Sequence, residues 1–253
     1  DLSIMLAKGI SVPAYITYTE RDYEYIIDDC TPSVIFISDN TQYEKIKVIS
    51  KKKNCIKKII SFENLENIDS KLIESIENIL SKQKLKENKF LNLDINRKDI
   101  ACIIYTSGTQ GNPKGVMLSH GGILSNCKGA LELLKTITTD SPIFLTWLPL
   151  SHSYEHTVQF VQIAITAKVF YAESIEKLIK NMNECKPEIM TAVPRFYQNL
   201  YQKINSSFIK IEGLKKILIN ETVSLGKKKL IKKRLTFFEN LKNFFCEWLV
   251  RKK

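Results

Sequence analysis

The stretch that most constrains this chain runs Tyr105-Thr106-Ser107-Gly108-Thr109-Gln110-Gly111-Asn112-Pro113-Lys114-Gly115. An apolar run, Ile100 to Ile104, precedes it and reads as a buried strand. A second short apolar run, Val116 to Leu118, follows and leads into Ser119-His120-Gly121-Gly122. Between Thr106 and Gly115 lie three glycines, three hydroxyl side chains and one lysine. Glycine adopts φ > 0 without steric cost, so a loop of this composition can turn its backbone N–H groups toward an anion. The hydroxyls add donors, and Lys114 adds a mobile positive charge. A polyphosphate is the natural guest of such a loop.

The spacing separates it from the P-loop of NTPases, which needs Gly, four residues, then Gly-Lys-Ser/Thr. Counted from Gly108, that spacing puts Pro113 where the second glycine belongs, and Gly115 where the hydroxyl belongs. A plain Gly/Ser-rich hairpin loop is the simpler alternative, against which the Pro-Lys-Gly ending argues. The pattern S/T-S-G-T-x-G-x-P-K-G resembles the phosphate-binding signature of the adenylate-forming superfamily, which includes acyl-CoA synthetases, luciferases and peptide-synthetase adenylation domains. Gln110 stands where that superfamily usually has Thr. The resemblance implies that Thr106, Ser107, Gly108, Thr109, Gln110, Gly111, Asn112, Pro113, Lys114 and Gly115 hold the phosphates of ATP.

Around this stretch, short β-branched runs alternate with helical patterns. Asp1 to Lys8 reads as a helix end stopped by Gly9, and Ile10 to Ile16 as a strand containing Pro13. Thr19-Glu20-Arg21-Asp22 starts a helix to about Cys30, which Pro32 breaks. Val34 to Ile37 and Ile56 to Phe62 read as strands around a helix over Thr41 to Lys53, with Ile46 and Ile49 inward. Glu63 to Asn96 reads as a polar surface helix and linker. Further on, His120 to Leu134, Thr157 to Ala167, Ile175 to Cys185 and Arg195 to Ile204 are helical in pattern. Ile143 to Leu148, Lys168 to Tyr171 and Glu188 to Val193 are strand candidates. The alternation predicts an α/β fold with mostly parallel sheets flanked by helices.

Two further segments carry chemistry. Leu148-Pro149-Leu150-Ser151-His152 follows a strand and runs into Ser153-Tyr154-Glu155-His156. His152-x-x-Glu155-His156 matches the zinc-binding pattern of inverzincin metalloproteases. The segment also resembles the LPLxHxxE sequence that follows the phosphate loop in long-chain acyl-CoA synthetases. On that resemblance His152 faces the acyl carboxylate and the adenylate, and Glu155 is a substrate-pocket candidate. The plain alternative is that these histidines cap and fill a helix start. Thr191-Ala192-Val193-Pro194-Arg195-Phe196-Tyr197 resembles the family's segment beside the acyl tunnel, which makes Pro194 and Arg195 pocket candidates as well.

Taken together, the three segments identify the chain as similar to a long-chain fatty-acid–CoA ligase. The resemblance implies ATP and Mg2+ as cofactors, CoA as co-substrate and a fatty acid as partner, with no resident metal and no nucleic acid. The family's Tyr-Gly-x-Thr-Glu and Thr-Gly-Asp segments do not occur in this sequence. Residues 1–253 are accordingly expected to form a partial N-terminal domain of the adenylate-forming enzyme fold, without the small C-terminal domain and without turnover on their own. The rivals are another adenylate-forming ligase (aryl, amino-acid or acyl-AMP), a non-catalytic basic lipid-binding module and a zinc hydrolase.

Charge and cysteines bound the setting. Lys203 to Lys253 holds fourteen Lys/Arg against four Glu, whereas the rest of the chain holds 24 basic and 23 acidic residues. In that tail Ile231, Leu235, Phe238, Phe245 and Leu249 recur at helical spacing among lysines. One basic amphipathic helix is the expectation, suited to peripheral contact with an anionic membrane face. Six scattered cysteines with no CxxC pair fit reduced thiols in the cytoplasm.

Overall fold

The structure, a computed structural model, describes residues 1–65, 71–82, 94–106, 113–136, 140–209, 211–232 and 234–251. The chain divides into two compact units, Asp1–Thr191 and Ala192–Lys253.

In the first unit, α1 (Leu2–Leu6) leads to α2 (Glu20–Cys30). Thr19 caps α2 with a reciprocal box: its hydroxyl accepts from the Asp22 N–H while the Asp22 carboxylate accepts from the Thr19 N–H at 2.9 Å. The Thr19 hydroxyl, which donates to the same carboxylate at 2.7 Å, and after it the Thr19 N–H hold the Asp22 carboxyl below its ordinary value. Pro32 disfavours helical geometry before it, and Thr31 closes α2 in the left-handed region at φ 42°. Strand β1 (Val34–Ile37), α3 (Asn40–Lys52), β2 (Lys58–Ser61) and β3 (Ile73–Ser75) then form a parallel sheet in the order β1-β2-β3, followed by α4 (Ile76–Lys82). Ile27 of α2 and Tyr43, Ile46 and Ile49 of α3 pack on Ile37 and Ile59. Ile59 is fully buried, which contributes about 1.5–3 kcal/mol for a side chain of that size.

The middle of the unit is β4 (Ile100–Thr106) paired antiparallel with β5 (Lys114–Ser119), followed by α5 (His120–Leu134). Ala101, Cys102 and Ile104 of β4 are buried with Met5 of α1. Ile123 of α5 packs on the same cluster, as does Phe160 of α6 (Ser153–Ala164). The third sheet pairs β6 (Ile143–Thr146) with β7 (Lys168–Tyr171) in parallel across α6, and α7 (Leu178–Cys185) follows. The fold class is therefore α/β, with three of the four strand pairings parallel and helices on the sheets.

Several local expectations need correction. Gly9 does not end α1 in the left-handed region; Lys8 does, at φ 61°. Gly9 is needed for closeness instead, because a Cβ there would lie 2.9 Å from Ile4 Cγ2. Ile10 to Ile16 is not a strand: Ser11 alone bridges to Cys102, and Pro13 has no N–H to extend a ladder. Likewise Glu188 to Val193 reduces to one bridge, Ile189 to Phe144. The polar segment after Glu63 contains β3, which the helical spacing of Leu72 and Ile76 hid.

The second unit is helical: α8 (Pro194–Ile209), α9 (Leu214–Lys232), α10 (Phe237–Cys246) and a π-helical turn, Glu247–Arg251. The single tail helix of the sequence reading is two. Thr236 opens α10 with a capping box to Glu239, and Lys228–Glu239 and Lys242–Glu221 pair α9 with α10. Phe237, Phe238, Phe244 and Trp248 remain largely exposed. No described helix is long and apolar enough to cross a membrane.

Candidate functional site

The glycine-rich stretch lies in the chain between β4 and β5, the two strands of an antiparallel pair. Thr106 and Lys114 are its last cross-strand pair, and Tyr105 faces Gly115 one step back. Ser107, Gly108, Thr109, Gln110, Gly111 and Asn112 lie outside the described residues. Thr106, Lys114 and Gly115 are exposed, and Lys114 has no hydrogen bond or ion pair among the described residues.

Behind the loop the hairpin is anchored. Tyr105 is 4% exposed, and its hydroxyl donates to Asp29 Oδ2 at 2.6 Å. Burial, reinforced by that carboxylate, pushes the phenol well above its ordinary pKa. The ring lies close over Gly115: a Cβ there would meet Ile103 Cγ2 at 2.9 Å and Tyr105 Cζ at 3.2 Å. Tyr25 of α2 donates its hydroxyl to the Pro113 carbonyl at 3.0 Å. Where β5 runs into α5, Ser119 Oγ accepts from the Gly122 N–H at 3.1 Å and caps the helix.

The second motif sits on the turn from β6 to α6. His152 is the N-cap of α6; its Nδ1 accepts from the Tyr154 N–H at 3.2 Å, and its ring is exposed. Glu155, one turn in, is fully buried. The Thr191 hydroxyl donates to its Oε2 at 2.6 Å, while Oε1 has no hydrogen-bond partner among the described residues. Burial pushes the Glu155 carboxyl up from its ordinary value, against the opposing pull of the Thr191 hydroxyl. The Trp147 indole N–H donates to the Thr191 carbonyl at 2.7 Å, and Gln162 donates to Thr146 Oγ1 at 3.0 Å beside it.

His156 is buried as well. Its Nε2 lies 2.8 Å from Asp1 Oδ2, and its ring stands edge-on to Phe160. Burial holds its pKa below the ordinary histidine value. The two histidines therefore do different work, one capping a helix at the surface and one filling a core. Among the described residues no group of three or more His, Cys, Asp or Glu could hold a metal ion. The six cysteines are free thiols.

Pro194 and Arg195 open α8 in the second unit, where both are exposed. Sequence reasoning missed Tyr25, Asp29, Trp147 and Thr191 as supports of the two motifs. The four-residue spacing of Tyr25 and Asp29 was visible in the sequence, but their partners were not.

A family model described as AMP-binding enzyme matches residues 1–244. Long chain acyl-CoA synthetase 4 of Arabidopsis thaliana is 30% identical over 222 residues, covering 84% of this chain and 33% of the relative. Long-chain-fatty-acid–CoA ligase 5 of Rattus norvegicus is 29% identical over 231 residues, covering 87% and 33%. The chain thus spans about a third of the length of the curated relatives it matches. Among solved structures, apo MatB from Rhodopseudomonas palustris superposes with a TM-score of 0.64 at 22% identity, covering 79% of this chain and 37% of that one.

Proposed function

The chain belongs to the AMP-binding enzyme family, and from that premise we propose that it is part of an ATP-dependent ligase that activates a long-chain fatty acid and passes it to CoA. The carboxylate attacks the α-phosphorus of ATP, giving acyl-adenylate and pyrophosphate. The CoA thiol then attacks the acyl carbon and AMP leaves. The observation that carries the reading is the hairpin end, where Lys114 stands exposed beside Thr106, with no hydrogen bond or ion pair among the described residues, next to the stretch that bears the signature.

In this reading residues Thr106 to Gly115 hold the phosphates, with Lys114 neutralising the departing pyrophosphate. The work is positioning and charge stabilisation where charge develops. His152, exposed on the α6 N-cap, stands toward the acyl carboxylate and adenylate. Glu155 is sealed from solvent and supports that turn from inside, and Pro194 and Arg195 belong to the acyl-binding side. Mg2+ is proposed to enter with the nucleotide, as Mg·ATP. The 253-residue chain alone is proposed not to turn over, because it spans only about a third of its relatives' length.

The free thiols support a cytoplasmic setting. Lys227 to Lys229 of α9 and the exposed aromatics of α10 support peripheral contact with an anionic membrane face. Vesicle sedimentation at low and high salt tests that contact; equal binding at both would remove the electrostatic anchor.

The deciding experiment is ATP–pyrophosphate exchange by the protein at its full natural length, with palmitate, an aryl acid and an amino acid offered separately. Exchange driven by palmitate alone is the expected result. Exchange driven by the aryl or amino acid would move the protein to another adenylate-forming ligase, and ATP-independent lipid binding without exchange would make it a binding module.

A further inference from the structure

We infer that Tyr25 and Asp29 are positioning residues that clamp both stems of the glycine-loop hairpin to α2 and thereby fix where Lys114 stands. The inference rests on the reading of Lys114 as a phosphate ligand. It starts from a weakness of the hairpin. Strand β4 is buried along Ala101, Cys102, Ile104 and Tyr105, but β5 is exposed from Lys114 through Met117. Among the described strands β5 pairs only with β4. A two-stranded ribbon is marginally stable by itself, and its loop end frays unless something holds it.

α2 supplies that hold at two points. Tyr25 and Asp29 are four residues apart on the helix, so their side chains leave the same face one turn apart. Asp29 takes the hydroxyl of Tyr105, the residue before Thr106, at 2.6 Å. Tyr25 gives its hydroxyl to the carbonyl of Pro113, the residue before Lys114, at 3.0 Å. Thr106 and Lys114 are cross-strand partners, so one bond holds β4 one residue before Thr106 and the other holds the chain one residue before Lys114, just ahead of β5.

Gly115 completes the device. Facing Tyr105 across the ladder without a Cβ, it leaves room for the ring to lie over β5 with its hydroxyl at Asp29. The Tyr25 bond acts directly on the peptide that joins Pro113 to Lys114. Losing it frees the backbone from which the lysine side chain springs, while the buried core of β4 stays as it is.

The test uses the protein at its full natural length, assayed by pyrophosphate exchange with Mg·ATP and palmitate. Tyr25→Phe and Asp29→Ala each raise the KM for ATP about three- to tenfold, the worth of one hydrogen bond. The KM for palmitate stays near the parent value in both; the melting temperature stays near the parent in Tyr25→Phe and falls in Asp29→Ala, which leaves the buried Tyr105 hydroxyl without its acceptor. Asp29→Asn keeps an oxygen acceptor for Tyr105 and restores most of the ATP affinity. An equal rise in both KM values, or a fall in melting temperature with KM for ATP unchanged, would make the contacts merely structural and overturn the clamp. Lys114→Ala separates the two claims. If it is costly while the α2 variants are silent, the clamp alone falls; if Lys114→Ala is itself silent, the phosphate reading falls and takes the clamp with it.

Discussion

Thr191 donates its hydroxyl to the buried Glu155 carboxylate at 2.6 Å, across 36 residues of chain. The bond ties the first turn of α6 to the segment that follows α7, and the Trp147 indole N–H holds the same Thr191 through its carbonyl at 2.7 Å. The turn carrying His152 is thus braced on both sides, before it by Trp147 and after it by Glu155. A carboxylate with one satisfied and one orphaned oxygen in a dry site is costly to ionise.

Glu155 therefore sets a pH dependence. Its folded pKa is raised above the unfolded value of about 4.3, so the unfolded chain releases that proton first as pH rises. The unfolded state binds fewer protons over that window, and stability falls from about pH 4.3 up to the folded pKa. Glu155→Gln keeps an acceptor for Thr191 and removes the titration. Chemical denaturation from pH 4 upward is expected to show the variant gaining on the parent as pH rises; parallel curves would refute the raised pKa. Glu155→Ala, which orphans Thr191, should cost about 1–3 kcal/mol.

Lys114→Ala is expected to slow pyrophosphate exchange about a hundredfold, the scale of losing one charge-stabilising donor at a reacting centre. Rates within twofold of the parent would sink the phosphate assignment.

Two glycines should respond oppositely to alanine. At Gly115 the new methyl would sit 2.9 Å from Ile103 Cγ2 and against the Tyr105 ring, an overpacking cost of about 1–3 kcal/mol. At Gly129, inside α5, a Cβ meets nothing within 4 Å, so the substitution should stabilise by about 0.5–1 kcal/mol. Urea melts of the two variants check both signs; a stabilised Gly115→Ala would contradict the close approach of the ring.

Thr236→Ala removes the α10 cap and should cost that helix about 1 kcal/mol. Amide exchange read peptide by peptide should speed up in the first turn of α10 and leave α3 unchanged; uniform protection across α10 would show the cap to be idle.

The elements that local chemistry specifies were legible in the sequence. Val34 to Ile37 and Lys168 to Tyr171 are short β-branched or aromatic runs between breakers, and both are strands over those residues. His120 to Leu134 is helical in pattern and is α5, with Ser119 as its cap. What failed depended on partners. Ile10 to Ile16 has strand-like composition, yet only Ser11 finds a neighbour in register. The break between α9 and α10 was readable and overlooked: Thr236-Phe237-Phe238-Glu239 is a capping box in sequence, masked by the apolar spacing that runs through it. The signature loop and His152 announced themselves by residue type. Asp29 and Tyr25 did not, because a carboxylate and a phenol on a polar helix face look like solvated surface until β4 and β5 arrive beside them.

That late arrival has a kinetic meaning. Tyr25 and Pro113 are 88 residues apart, and Asp29 and Tyr105 are 76 apart, whereas Thr106 and Lys114 pair across a short loop. A hairpin closes in about 1–10 μs, but long-range closure waits on chain entropy and on synthesis. At roughly 5–20 residues per second, α2 leaves the ribosome several seconds ahead of the strand it will hold. A chain stalled before Tyr105 can already have assembled its first parallel sheet while the hydroxyl of Tyr25 and the carboxylate of Asp29 are still bound to water. Anchoring of the hairpin is accordingly later than the start of assembly of the first parallel sheet, and the loop end is held only once two distant parts of the chain have met.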